Sequence, residues 1–189
     1  MKTTEFSTDI KKGKIGEQIF KEDFLDFLKL KYEDVSGCQS FQIQGVDFCF
    51  SLGRVDIKNS YKSHDNTIII EEYSDQTLKK KGWFDKSTAH LFIFVDPKTR
   101  HMVFVPNTKE LHTWYNENKL RWDLCFNKVS YSKNGEWQSS FRVVGLDYIP
   151  HSFYYKGIIK TTTEKTNKRI VQLILEDSYH KNKGFVPSA

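Results

Sequence analysis

The sequence has no run approaching the roughly 18 consecutive apolar residues that a membrane helix requires. Its first residues, MKTTEFSTDIKKG, hold no apolar stretch of signal-peptide length. These absences predict a cytoplasmic protein that crosses no membrane. Cysteine is scarce: Cys38, Cys49 and Cys125 are odd in number, widely spaced and include no CxxC pair. That argues against a disulfide framework and a zinc ribbon, and predicts buried free thiols. The histidines, at positions 64, 90, 101, 112, 151 and 180, pair at metal-ligand spacing neither with one another nor with cysteine. No Ser–His or Cys–His signature is visible either, so packing and surface roles are expected for them. With 4 Pro and 10 Gly in 189 residues, the chain does not have the composition of a disordered one. Arginine is rare too, five of the 29 cations. A surface dominated by lysine attracts phosphate diffusely and is poorly suited to bidentate reading of guanine edges.

What is present describes a folded domain. A hydrophobic fraction of 38% and an aromatic fraction of 15% suffice for a real core in a chain of this length. One domain over residues 1–189 is expected, with the residues from about 155 as a C-terminal extension. The formal charge of +5 is a moderate excess compatible with a polyanionic partner.

Ser7 or Thr8 can cap a first helix running to about Tyr32, with Phe20, Phe24, Phe27 and Leu28 at helical spacing. Glu17 falls on that apolar face, where a carboxylate needs a reason. Three runs follow, FQIQGVDFCF, RVDIKNSY and TIIIEEYS, which read as an antiparallel meander. In the second, Arg54, Asp56, Lys58 and Ser60 share one face, which is wholly polar, while Val55 and Ile57 point the other way. After a basic stretch with helical character, DQTLKKKGWFDKST, two strands HLFIFVD and HMVFVP are joined through DPKTR. Asn107 followed by Glu110 resembles a capping box opening a helix NTKELHTWYNENKL, with Leu111, Trp114 and Tyr115 on one side. An Asn-Gly turn separates the strands VSYS and EWQSSFRVVGL. The remainder, KTTTEKTNKR followed by IVQLILE, is polar and basic with one apolar patch.

A helical Glu17, Asp47 at a strand end, and Asp56 with Lys58 on the next strand can converge at one sheet edge. Oxygen ligands of this kind suit Mg²⁺ or Mn²⁺, and a divalent cation removes the cost of clustering like charges. Such a metal polarises a phosphodiester oxygen and acidifies a bound water. Lys58 stands beside that water, and two roles stay open for it: orienting or deprotonating the nucleophile, or stabilising charge on the phosphate.

Taken in order, Gly16-Glu17 in a first helix, GVDF from Gly45 to Phe48 and VDIKNS from Val55 to Ser60 resemble the PD-(D/E)XK, or restriction-endonuclease-like, nuclease superfamily. Asp47 matches its lone aspartate, Asp56 and Lys58 its D/E-x-K, and Glu17 its helical acid; Val46 stands where the pattern has proline. The resemblance covers roughly residues 13 to 96. It implies an α/β fold, a mixed β-sheet flanked by helices whose antiparallel part is formed by the first three strands, here with extra C-terminal strands or helix.

The expected activity is metal-dependent hydrolysis of phosphodiester bonds in DNA, with Glu17, Asp47 and Asp56 holding Mg²⁺ or Mn²⁺ and Lys58 completing the catalytic set. Selection of substrate by DNA structure or by a protein partner is expected, and the resemblance implies a homodimer. Glu71, on the third run, is an additional candidate for the site. Lys79, Lys80, Lys81, Trp83 and Lys86 are candidates for nucleic-acid contact, by neutralising the backbone and stacking on a base. Two alternatives stay open: a nuclease-like fold that binds nucleic acid or protein without catalysis, as an accessory or inhibitor protein, and a nuclease directed at RNA.

Overall fold

Alternating apolar periods of helix and strand build the chain into a mixed α/β fold with one mixed sheet. A computed structural model describes residues 13–50, 53–125, 128–133 and 137–157. Helix α1 is α-helical over 13–20 and continues as a π-helical turn, Lys21–Asp26. Lys29, with a φ of 53°, ends it three residues short of Tyr32. The proposed Ser7 or Thr8 cap lies outside the described residues.

The first sheet runs in the order β1 (Glu33–Asp34), β2 (Phe48–Phe50), β3 (Gly53–Lys58), β6 (Leu91–Val95), β7 (Met102–Pro106) and β10 (Tyr155–Gly157). Its neighbours are antiparallel except β3 and β6, which are parallel with Asp56 opposite Phe92 and Lys58 opposite Phe94. The second sheet is antiparallel, in the order β5 (Lys80–Lys81), β4 (Thr67–Asp75), β9 (Trp137–Gly145) and β8 (Lys128–Lys133). Helices α2 (Gln39–Ile43), α3 (Trp83–Lys86) and α4 (Lys109–Cys125) and two 3-10 turns, Leu146–Tyr148 and His151–Phe153, complete the described chain.

The central strands β6 and β7 are buried throughout, as the unbroken apolar runs LFIFV and MVFVP require of strands covered on both faces. On one face, Phe20, Phe24, Leu25 and Leu28 of α1 pack on Val55, Ile57, Leu91, Ile93 and Phe104. On the other, Phe92, Phe94, Val103 and Val105 meet Ile68 and Ile70 of β4, Val144 of β9, Phe84 of α3 and Leu111 and Tyr115 of α4. The layers are thus helix, mixed sheet, then second sheet with helices. No helix among the described residues is long and apolar enough to cross a membrane.

Several expectations change. The first part of FQIQGVDFCF is helix α2, not strand. It closes in a Schellman turn at Gly45 (φ 61°), with the Val46 amide bonded to the Phe41 carbonyl at 3.0 Å and the Gly45 amide to that of Gln42 at 3.1 Å. The three-stranded meander is also replaced: β2 and β3 pair, but β6 occupies the far edge of β3 and β4 crosses to the second sheet. The basic stretch forms β5 and the one-turn α3. Helix α4 is capped one residue later than expected, since Thr108 Oγ1 accepts the Leu111 amide at 3.2 Å. Asn107 instead donates to the Ala89 carbonyl at 2.7 Å. The expected burial of the thiols is not met at either: Cys38, at the N-cap of the surface helix α2, is exposed, and Cys49 of β2 is only partly covered. Strands β8 and β9 form as expected, while their turn and the segment from 158 onward, including IVQLILE, lie outside the described residues.

Candidate active site

The approach of α1 to the sheet begins with a missing side chain. A Cβ on Gly16 would stand 1.7 Å from Asn59 Oδ1, so only glycine lets the helix lie this close to the residue following β3 with Asn59 in place. The next residue, Glu17, is half-buried. Burial and the charge of Asp47 push its carboxyl above the usual range, while a hydrogen bond with Ser36 opposes them.

Asp47 is delivered by the Gly45 turn at the residue before β2. Its amide donates to the Val55 carbonyl at 2.8 Å. Its side chain reaches along the neighbouring strand, where Oδ2 accepts the Ile57 amide at 2.7 Å. Desolvation first, and the charge of Asp56 second, push this carboxyl up to about 7, against the pull of the Ile57 amide and Lys58.

Asp56 is 2% exposed. Because Val55 and Ile57 face α1, Asp56 and Lys58 face the second layer, and the wholly polar face read from the sequence is an interior one. Asp56 Oδ1 pairs with Lys58 Nζ at 2.7 Å, whereas Oδ2 is buried without a hydrogen-bond partner. Nearby, the Ser87 hydroxyl donates to the Gly45 carbonyl at 2.8 Å. Burial raises the Asp56 carboxyl and Lys58 opposes that rise. Lys58 Nζ also lies over the indole of Trp83, 5.0 Å from its centroid.

Glu17, Asp47, Asp56 and Lys58 are therefore linked in one electrostatic cluster. The other sequence candidates lie around it. Glu71 Oε2 accepts the Trp83 amide at 3.0 Å, which brings it to the residue beneath Lys58. Its neighbour Glu72 goes the other way, pairing with buried Arg142 at 3.1 Å. Lys79, Lys80 and Lys81 are exposed along the β4–β5 hairpin, and Lys86 is exposed at the end of α3. Trp83 is half-buried. Its ring packs on Phe92, Phe94 and Phe84, at centroid distances of 5.1, 5.8 and 5.9 Å. Sequence reasoning missed Ser87, for which no local signal exists, and the contact of Trp83 with Lys58. The Gly45 turn was detectable, since glycine after a short polar-apolar run is a helix stop.

Among the described residues, no three His, Cys, Asp or Glu side chains are gathered closely enough to hold a metal ion as they stand. The donors nevertheless fit a hard divalent cation. Three carboxyls bind protons more readily than usual, chiefly because burial desolvates them, with a neighbouring carboxylate adding to the effect at Glu17 and Asp47, and Asp56 Oδ2 is buried without a hydrogen-bond partner. A cation held by oxygen would satisfy both conditions. The chain matches no family model, no curated protein and no solved structure.

Proposed function

We propose that this chain is a metal-dependent nuclease hydrolysing phosphodiester bonds of DNA, on a restriction-endonuclease-like arrangement of β2, β3 and α1. The observation that carries the reading is the meeting of Asp47 with the buried Asp56–Lys58 pair, with Glu17 brought beside Asp47 by α1. Such a cluster costs folding free energy as it stands, and groups of this kind concentrate at functional sites.

Glu17, Asp47 and Asp56 are the residues that would hold Mg²⁺ or Mn²⁺. Bound there, the ion supplies charge to a phosphodiester oxygen and lowers the pKa of its water. The Ile57 amide fixes the Asp47 carboxylate, and Asp56 holds the Lys58 ammonium where it orients the nucleophile or meets charge developing on phosphate. The lysine excess draws the backbone in without reading sequence. Selection then falls to DNA structure or to a protein partner, and the resemblance implies a homodimer.

One observation favours a second reading, in which the fold binds nucleic acid or protein without catalysis: the carboxyls do not form a closed ligand set, and Lys58 already occupies Asp56. Incubation with single-stranded, duplex, flapped and four-way-junction DNA and with RNA, in Mg²⁺, Mn²⁺ or EDTA, separates the two. Metal-dependent cutting of DNA that is lost in Asp56→Ala and Lys58→Ala supports the nuclease. Salt-sensitive binding without cutting supports the second reading, and preferential cutting of RNA moves the activity to that substrate.

A further inference from the structure

Lysine has four rotatable side-chain bonds, so an ammonium required at one point needs something besides its chain to hold it there. Lys58 has two such contacts: Asp56 Oδ1 at 2.7 Å and the face of Trp83, 5.0 Å from Nζ to the centroid. An indole face attracts a cation through its quadrupole, and more strongly where water is partly excluded. The Lys58 side chain retains 21% of its exposure.

The indole is itself held in place. Its ring lies tilted or edge-on against Phe92 and Phe94, the residues paired with Asp56 and Lys58 across β3 and β6. Its backbone amide is held by Glu71 Oε2 at 3.0 Å. The preceding Gly82 touches β4 so closely that a Cβ there would stand 2.2 Å from the Glu71 carbonyl oxygen, and its amide donates to the Glu72 carbonyl at 2.7 Å. The route from β4 into α3 therefore has little freedom, and Trp83 cannot drift from beneath Lys58 without breaking these contacts.

We propose that Trp83 is a positioning residue, seating the Lys58 ammonium at Asp56 through its indole face, with Glu71 fixing Trp83 through the amide. The proposal deepens the nuclease reading, and its consequence for cleavage rests on that reading. It also gives Trp83 a role on the inside of the protein rather than on nucleic acid, and Glu71 one in supporting Trp83 rather than among the carboxylates.

The test uses the full chain labelled with ¹³C-lysine, the Lys58 resonance being assigned by its disappearance in Lys58→Arg. Ring current from the indole should shift the Lys58 Hε protons upfield of the other lysines in the wild type. That shift should vanish in Trp83→Leu and persist in reduced form in Trp83→Phe, which retains an aromatic face. In the cleavage assay, Trp83→Leu should lower kcat by about tenfold with KM unchanged, and Trp83→Phe should recover most of the loss.

An unshifted Lys58 in the wild type overturns the proposal, and this readout needs no variant of Trp83 to fold. Loss of the shift with undiminished kcat overturns it as well. A wild-type chain that shows the shift but cuts no substrate upholds the seating of Lys58 and overturns the nuclease reading, so the two failures are distinguishable.

Discussion

Gly16 of α1 and Asn59, the residue after β3, approach so closely that a Cβ on the glycine would lie 1.7 Å from Asn59 Oδ1 and 2.7 Å from its Cγ. The glycine places the following Glu17 next to Asp47. Alanine at this position gains about 1 kcal/mol of helix propensity but forces the Asn59 side chain out, along with its long bond to the Gly13 carbonyl at 3.5 Å. Gly16→Ala should therefore lower stability by about 1 kcal/mol net of that gain. Urea midpoints of Gly16→Ala, Asn59→Ala and the double variant check this. The double variant should be less destabilised than the sum of the singles, and strict additivity would show that the close approach does not govern the helix position.

Asp47 gives a second expectation. Its carboxyl, raised to about 7 from an ordinary value near 3.8, keeps its proton in the folded state over a range where the unfolded chain has lost it. The unfolded state binds fewer protons there, so stability falls as pH rises from about 4 to about 7. The slope is at most about 1.4 kcal/mol per pH unit for this group. Glu17 and Asp56 are raised as well and act in the same direction. Asp96 is held below its usual range by Ser63, the Lys98 amide and Thr99, so its contribution is lost only under more acid conditions. In EDTA the protein should melt at a higher temperature at pH 5 than at pH 8. Asp47→Asn should flatten this dependence and raise the melting temperature at pH 8, because an amide can still accept the Ile57 N–H bond. Adding Mg²⁺ at pH 8 should restore stability to the wild type, by about 1.4 kcal/mol at ten times Kd, and much less to Asp47→Asn. A wild-type melting temperature indifferent to both pH and Mg²⁺ would remove the electrostatic argument for the site.

The second sheet is tied together by an ion pair at its centre. Arg142 of β9 is 2% exposed, and its guanidinium meets Glu72 of β4 at 3.1 Å and donates to the Lys119 carbonyl at 2.6 Å. Glu72→Ala strips a buried cation of its counter-ion and should cost about 3 kcal/mol or more. Replacing both partners with apolar residues of similar volume should cost much less. Equilibrium unfolding in urea distinguishes the two, and equal losses would mean that the pair matters only through its packing.

Much of the local structure was legible. The stripe Phe20, Phe24, Leu28 gives a helix, the runs LFIFV and MVFVP give strands buried on both faces, and Leu111 and Tyr115 give the buried side of α4. Alternation along RVDIK separated Val55 and Ile57 from Asp56 and Lys58. The helix α2 was missed because Phe41 and Ile43 also fit a strand period, and only the turn at Gly45 decides between them. Thr108 and Asn107 are both good caps, and the choice fell to Thr108 because Asn107 is drawn to Ala89 and His112. Adjacent acids such as Glu71 and Glu72 must point apart in a strand, but which one faces α3 depends on a register that a single strand does not contain.

The sequence by itself determined the order of the acids and the lysine and the face of β3 that Asp56 and Lys58 share, since these follow from chain spacing and backbone geometry. The tertiary structure alone decided that Gly16 lies against Asn59 and brings Glu17 near, that β4 leaves the first sheet, that the polar face of β3 is covered, and that an indole lies beneath Lys58. Those outcomes depend on contacts between segments distant in the chain, where pairing of β3 with β6 and packing of α3 on Phe92 and Phe94 outweigh any local preference.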